Sequence, residues 1–210
     1  MSLTSQGYKE LRNAIVLAEE TIRRGRSVMR RNRDIQMLHD TLQILNRGYY
    51  EKDGKRKELK LSKAEMAECV VLLPEDVEKY SNDPTISHPP IPFHIGRIRH
   101  ECENIDSFTL ARKQYESEFL FRGDGKKEVL VLNFANPVNP GGGVRNGAKA
   151  QEEDLCRKSS LLLSLESEKA EAYYNYNLKQ HTKLGSDAMI FTPKVEIIKD
   201  RKSTRLNSSH

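Results

Sequence analysis

Apolar residues recur at spacings of three and four from Tyr8 to Arg24, where Leu11, Ile15, Leu17, Ala18 and Ile22 sit among charges, which predicts an amphipathic helix. A second helix is expected from about Asn32 to Asn46, with Ile35, Leu38, Leu42 and Leu45 on one face and Gly48 as its stop. The period then shortens. Tyr49 and Tyr50, the turn pair Asp53-Gly54 and the alternating Leu59 and Leu61 read as a hairpin. Ser62 with Glu65 three residues on makes a capping box, opening a helix expected to run through Leu73. Pro74, Pro84, Pro89, Pro90 and Pro92 predict a connecting loop from Pro74 to His94. Residues 95–102 read as a short strand, and Ser107 begins a helix to about Phe121. After Gly123-Asp124-Gly125 comes Val129-Leu130-Val131-Leu132, a continuous apolar run that predicts a central strand over 128–134, covered on both faces as in a parallel sheet. A glycine-rich loop follows, then a helix over Gln151–Leu165, a tyrosine-containing helix to about His181, and strands at 189–191 and 195–198. Strand, loop, helix and strand in that order predict a three-layer α/β domain, and no internal repeat is present.

The 210 residues leave room for one domain with a helical extension. Hydrophobic residues make up 37% and charged residues 31%, and no apolar run approaches a membrane span. No charged n-region followed by an apolar h-region opens the chain, so a cytoplasmic location is expected. Cys69, Cys102 and Cys156 lack any C-x-x-C pairing and read as reduced thiols rather than zinc ligands. The net charge of +5 hints at nucleic acid until it is divided: residues 1–63 carry 15 basic against 8 acidic residues, residues 64–200 carry 17 against 22, and the last ten carry 3 against none. The basicity therefore belongs to the two ends, where the run Arg23, Arg24, Arg26, Arg30, Arg31 and Arg33 could neutralise phosphates. Without a nucleic-acid signature beside it, it reads as a solvated face, and a nucleic-acid partner is not expected.

Candidate chemistry concentrates in residues 129–163. A buried strand would deliver the chain to Asn133 and Asn136, where the C-terminal edge of a sheet meets ligands. Gly141, Gly142 and Gly143 remove three successive side chains, so the backbone can approach a ligand and present its amides. Seven residues later Gln151, Glu152 and Glu153 open a helix at its partly positive end. Asn146 stands where a dinucleotide-binding G-x-G-x-x-G would need glycine; no P-loop and no H-E-x-x-H occurs, and His100-Glu101-Cys102 is too slight for a metal site.

The triple glycine, seven residues and QEE together resemble the catalytic loop of the poly(ADP-ribose) glycohydrolases, GGG followed after six to eight residues by QEE. Upstream NFAN at 133–136 and downstream Leu155, Cys156, Arg157 and Ser159 are similar to the same family. DTLQILNRGYY at 40–50, YYNYNLKQH at 173–181 and AMIFTPKVEIIKD at 188–200 resemble its microbial branch, so the resemblance covers roughly residues 10–200. It implies a macrodomain-like fold that hydrolyses the ribose–ribose O-glycosidic bond of poly(ADP-ribose), with ADP-ribose or poly(ADP-ribose) on modified proteins as partner, and with no metal and no cofactor. By that resemblance Glu153 is the catalytic acid, protonating the departing hydroxyl and then activating water. Glu152 would hold the ribose hydroxyls, Gly141 to Gly143 would pack against diphosphate and distal ribose, and Asn136 and Gln151 would complete the substrate contacts. One carboxylate serving both steps departs from the usual two-carboxylate glycosidase scheme. Two opposing influences meet on it, because a helix start lowers a carboxyl pKa and burial beneath a sugar raises it.

The expected organisation is a helical N-terminal accessory region over 1–125, the N-terminal part of a macrodomain core over 126–200, and a tail over 201–210 that resembles no family segment. The family's second phosphate loop and adenine-stacking aromatic would follow residue 200, so the C-terminal part of the fold is expected to be missing. Two other functional classes stay open at this stage: an ADP-ribose-binding module or inactive fragment without catalysis, and a nucleic-acid binder led by the arginine-rich helix.

Overall fold

A computed structural model describes residues 5–83, 103–116, 129–180 and 185–199. The expectations for residues 84–102 and 117–128 and for the 201–210 tail lie outside them, as does Cys102.

The two predicted N-terminal helices are one. Helix α1 runs unbroken over Ser5–Arg47, 43 residues. The arginine-rich stretch between the expected helices consists of good helix formers, and the single Gly25 there costs only about 1 kcal/mol, too little to end a helix flanked on both sides. Leu17, Ile22, Val28 and Met29 are exposed, and continuous burial begins where Asp34, Leu38, Thr41 and Leu45 face the body at spacings of four, three and four. That seam is turned slightly from the predicted one, leaving Ile35 exposed and Leu42 half-buried. Gly48, at φ 80°, donates its N–H to the Ile44 carbonyl at 2.9 Å and stops the helix in the left-handed conformation that glycine adopts without steric cost.

Strands β1 (Tyr49–Lys52) and β2 (Lys55–Glu58) form a hairpin about the predicted turn, with Asp53 and Gly54 both at positive φ, and the second strand ends before the expected Leu59 and Leu61. The Ser62 capping box is present, but α2 spans only Lys63–Met66. The β-branched pair Val70-Val71 then leaves the helix for β3 (Val70–Leu72), antiparallel to β4 (Met189–Phe191). The expected loop from Pro74 begins instead as helix α3 (Pro74–Asn82). Proline is harmless at the first helical position, where its missing N–H has no partner to lose, and Asp76 accepts the Leu73 N–H at 3.0 Å. Helix α4 (Ser107–Glu116) is capped by Asp106, which accepts from the Thr109 amide and hydroxyl at 3.1 and 2.7 Å.

Residues 129–135 bear on the largest expectation without a strand partner among the described residues to complete it. The segment pairs with no strand among the described residues, so neither a central strand nor a three-layer sheet is seen there. Its burial alternates: Val129, Val131, Asn133 and Ala135 are half-buried, while Leu130, Leu132 and Phe134 are 83%, 69% and 72% exposed. Four consecutive aliphatic residues imply two covered faces, and here one face alone has a core, through Val131. A groove of about 1620 Å³ opens between this segment and residues 185–198, and neither Glu152 nor Glu153 lines it. An exposed apolar surface of this kind binds hydrophobic dyes and self-associates. Leu132→Lys with Phe134→Lys is expected to cut both dye fluorescence and sedimentation-detected association, and unchanged values would show that these side chains are covered in solution.

The expected helix over 151–165 is split into α5 (Gln151–Lys158) and α6 (Leu161–Leu165). Ser159 between them is extended and bridges Ile197, while the Ser160 N–H donates to the Glu196 carbonyl at 2.9 Å and the Ile198 N–H to the Lys158 carbonyl at 2.8 Å. The expected strand at 195–198 is thus reduced to this bridge. Helix α7 spans Glu171–Lys179. The main core joins Leu38 and Phe108 to Val144, Leu155, Cys156, Leu161, Leu162 and Leu165, so both predicted regions contribute to it. A second cluster packs Cys69, Ala170 and Ala188 around Tyr173 and Tyr174, whose rings meet edge to face at 5.0 Å.

Candidate active site

Helix α5 carries the site, and its position is fixed from behind by α1. Thr41, fully buried, donates its hydroxyl to the Arg157 carbonyl at 2.6 Å. The Arg157 guanidinium reaches forward to the Ala148 carbonyl at 2.5 Å, holding the chain that leads into the helix. Lys158 is buried between Asp154 at 2.7 Å and Asp106 at 3.7 Å, tying α5 to α4. None of these anchors stands out by spacing. The neighbouring Cys156 and Cys69 are buried free thiols, and burial, with the Glu152 and Glu153 charges behind it, pushes the Cys156 thiol far up, into an unreactive protonated form.

The triple glycine folds onto the start of α5. Gly141 and Gly142 take φ 67° and 57°, in the left-handed region. A Cβ at Gly142 would lie 2.6 Å from Glu153 Oε1 and 3.2 Å from Glu152 Oε2, so the turn rests directly on both carboxylates. A Cβ at Gly141 would lie 2.7 Å from Leu162 Cδ1, which explains the first glycine by packing rather than by ligand approach. Glu153, 7% exposed, accepts the Gly143 N–H on Oε1 and the Ala150 N–H on Oε2, each at 2.9 Å. The second bond is a helix cap, and the first spans the loop.

Glu152 is 3% exposed and accepts the Asn136 N–H on Oε2 at 2.9 Å, with Asn133 Nδ2 near Oε1 at 3.4 Å. Burial pushes its carboxyl above the ordinary glutamate range, and the adjacent Glu153 charge adds to the shift against the opposing hydrogen bonds. Asn133 Oδ1 is buried without a hydrogen-bond partner among the described residues. As placed, Asn133 turns its amide N–H to Glu152 and favours the carboxylate, against the burial that raises the Glu152 pKa.

A raised native pKa gives stability that is present below the ordinary glutamate pKa and lost as pH climbs through the raised value. Glu152→Gln removes that titration while keeping the shape of the side chain and an oxygen that accepts the Asn136 N–H. Its melting temperature relative to the parent is therefore expected to be higher at pH 8 than at pH 4, measured by calorimetry; a pH-independent difference would contradict a raised Glu152 pKa.

The structure brings together Asn136, Gly141, Gly142, Gly143, Gln151, Glu152 and Glu153, all expected from sequence. Two have commitments that sequence did not reveal. Asn136 Oδ1 accepts the Val138 and Asn139 N–H groups at 2.9 and 2.8 Å, shaping the turn toward the glycines. Gln151 accepts the Phe134 N–H at 2.8 Å and donates to the Leu132 carbonyl at 2.6 Å, with Ser107 Oγ at 3.3 Å. Among the described residues no group of three or more His, Cys, Asp or Glu is arranged to hold a metal.

The class these features define is a mixed α/β protein in which a left-handed glycine turn closes over two adjacent buried glutamates at a helix start. Residues 39–200 match the family model of the microbial-type PARG catalytic domain, and the chain belongs to that family. The crystal structure of the poly(ADP-ribose) glycohydrolase of Thermomonospora curvata bound to the inhibitor ADP-HPD is similar, with a TM-score of 0.63 and 26% identity over 81% of this chain and 57% of that one. A mutant of the same enzyme gives 0.64 and 25% over the same shares. A mutant poly(ADP-ribose) glycohydrolase of Deinococcus radiodurans in complex with ADP-ribose is 33% identical over 67% of this chain and 50% of that one, with a TM-score of 0.48. The chain spans 57% of the length of the Thermomonospora chain, and no curated protein matches it.

Proposed function

We propose that this chain hydrolyses the ribose–ribose O-glycosidic bond of poly(ADP-ribose) and releases ADP-ribose. The observation that carries the reading is the pair of buried carboxylates held by backbone amides under Gly142, within a segment that matches the family model. Cleavage needs a proton on the departing oxygen and later a base for water. Glu153 fits both steps: each of its oxygens accepts one backbone amide, and a carboxylate has about four acceptor positions, so capacity remains for the transferred proton. Glu152, buried with its carboxyl raised above the ordinary glutamate range, suits the ribose hydroxyls as an acceptor. The Gly142 and Gly143 amides are held by the Asn139 carbonyl and Glu153, so the glycine turn would meet a diphosphate by close packing of its bare backbone, and the substrate is taken as polymer or as ADP-ribose on modified proteins.

We read residues 129–135 as one strand position of a macrodomain-like three-layer sheet, supported by their alternating burial and by the likeness to the Thermomonospora enzyme. A second reading has one observation in its favour: both Glu153 oxygens bond backbone amides, as a purely structural helix clasp would. On that reading the cleft binds ADP-ribose without cleaving it. Chromatographic assay of ADP-ribose released from poly(ADP-ribose), beside calorimetry with ADP-ribose, separates the two. Release supports hydrolysis; binding without release supports the clasp; neither overturns both.

A further inference from the structure

Arginines on the exposed half of α1 face the loop that feeds the catalytic glutamates. Arg23, Arg26, Arg30 and Arg31, with Ile22, line one side of a groove of about 820 Å³ whose other side is Gly147, Ala148 and Lys149. The two sides are locked together where a Cβ at Gly147 would lie 2.7 Å from Arg31 Cγ and 2.9 Å from the Arg31 carbonyl. Lys149 is held by Asp34 at 3.1 Å, whereas none of the four arginines is ion-paired among the described residues. Glu19 is the acidic residue of the lining. At 1.5 Å per residue, Arg23 and Arg30 lie about 10 Å apart along the helix, so the charges form a track leading away from the loop. That loop joins the glycine turn directly, because the Ala148 N–H donates to the Gly143 carbonyl at 3.1 Å and the Ala150 N–H to Glu153. Residues 23–31 precede the segment that matches the family model, which begins at 39.

We propose that this groove is a subsite for the diphosphates of ADP-ribose units beyond the one being cleaved, so that the chain grips its substrate as a polymer. The proposal rests on the reading of the site given above. A single ADP-ribose has one diphosphate to place in the cleft, whereas a polymer leaving the cleft past Gly147 would carry two negative charges per unit along four guanidiniums that have no ion-pair partner among the described residues. Arginine forks pair with phosphate oxygens two bonds at a time, so the recognition is more than a diffuse field.

The test uses the full chain and a triple variant, Arg23→Ala with Arg26→Ala and Arg30→Ala, whose helix content is checked by circular dichroism. Probes are size-fractionated long poly(ADP-ribose), ADP-ribose alone and single-stranded DNA of matched charge. The variant is expected to bind long polymer at least tenfold more weakly at low salt, with ADP-ribose affinity unchanged. Removing three charges should lower the slope of log affinity against log salt by about 2, at about 0.7 per charge on a flexible strand. A triple lysine variant should restore the salt slope but only part of the affinity, because it returns the charge without the fork. Equal polymer affinity and equal salt slope in parent and variant would overturn the subsite while leaving the cleavage reading intact. A parent that binds neither ADP-ribose nor polymer would overturn that reading and the subsite together. DNA held as tightly as polymer by the parent and lost equally in the variant would make the groove a nucleic-acid surface and overturn the proposal.

Discussion

Glu153→Gln is expected to lower turnover of poly(ADP-ribose) by about 1,000-fold or more, the upper range for loss of a general acid and base, with ADP-ribose affinity kept. The amide has the shape of the carboxyl and one acceptor oxygen, so it can still take either the Gly143 or the Ala150 N–H. It cannot donate and recover a proton. The other nitrogen end meets a backbone donor rather than an acceptor, so the cap is weakened by about 0.5–2 kcal/mol. A small fall in melting temperature therefore accompanies the loss of rate. Calorimetry with ADP-ribose and a single-turnover assay measure the two sides, and near-normal turnover would remove Glu153 from the acid–base role.

Gly142→Ala is expected to be nearly as damaging by a different route. The new methyl would stand 2.6 Å from Glu153 Oε1 and 3.2 Å from Glu152 Oε2, at a φ of 57° where a Cβ is already strained. The backbone cost is about 1–3 kcal/mol. Relief comes by pushing the Glu153 carboxyl away, and a misplacement of about 1 Å costs on the order of 100-fold in rate. Gly54→Ala is the control. It has a similar φ of 70°, with nothing within 4 Å of the added methyl, so it should lose stability without losing turnover. Should Gly142→Ala keep parental turnover, the contact between the glycine turn and the carboxylates would not govern catalysis.

The site was legible because its determinants are local. Three glycines, a fixed interval and QEE define a turn and a helix start within thirteen residues, 141–153, and the structure folds them onto one another. What could not be read were the partners reached across the chain: Thr41 on the Arg157 carbonyl and Ser107 beside Gln151 come from segments with no periodicity in common with α5. The fold was legible where one residue decides, as at Gly48, Asp53-Gly54 and Ser62. It was misread where a residue has two uses. Pro74 breaks a helix interior but begins a helix as well as any residue, and Val70-Val71 suits a strand once β4 is there to receive it. Leu130 and Leu132 mislead for a related reason. An apolar run reports the capacity to be covered, and coverage depends on neighbours that the run itself does not encode.

Gln151 gives the motif an internal division of labour. Its side-chain amide accepts from the Phe134 N–H and donates to the Leu132 carbonyl, the pair of bonds that a neighbouring strand would make, so one side chain serves as a strand of a single residue. A carboxylate at this position could accept but not donate, and it would place a third negative charge beside Glu152 and Glu153; a leucine could do neither. The three letters of QEE are therefore not one acidic cluster. The first is a splice that ties residues 132–134 to the helix start, beside the direct bonds by which Asn133 and Asn136 reach Glu152.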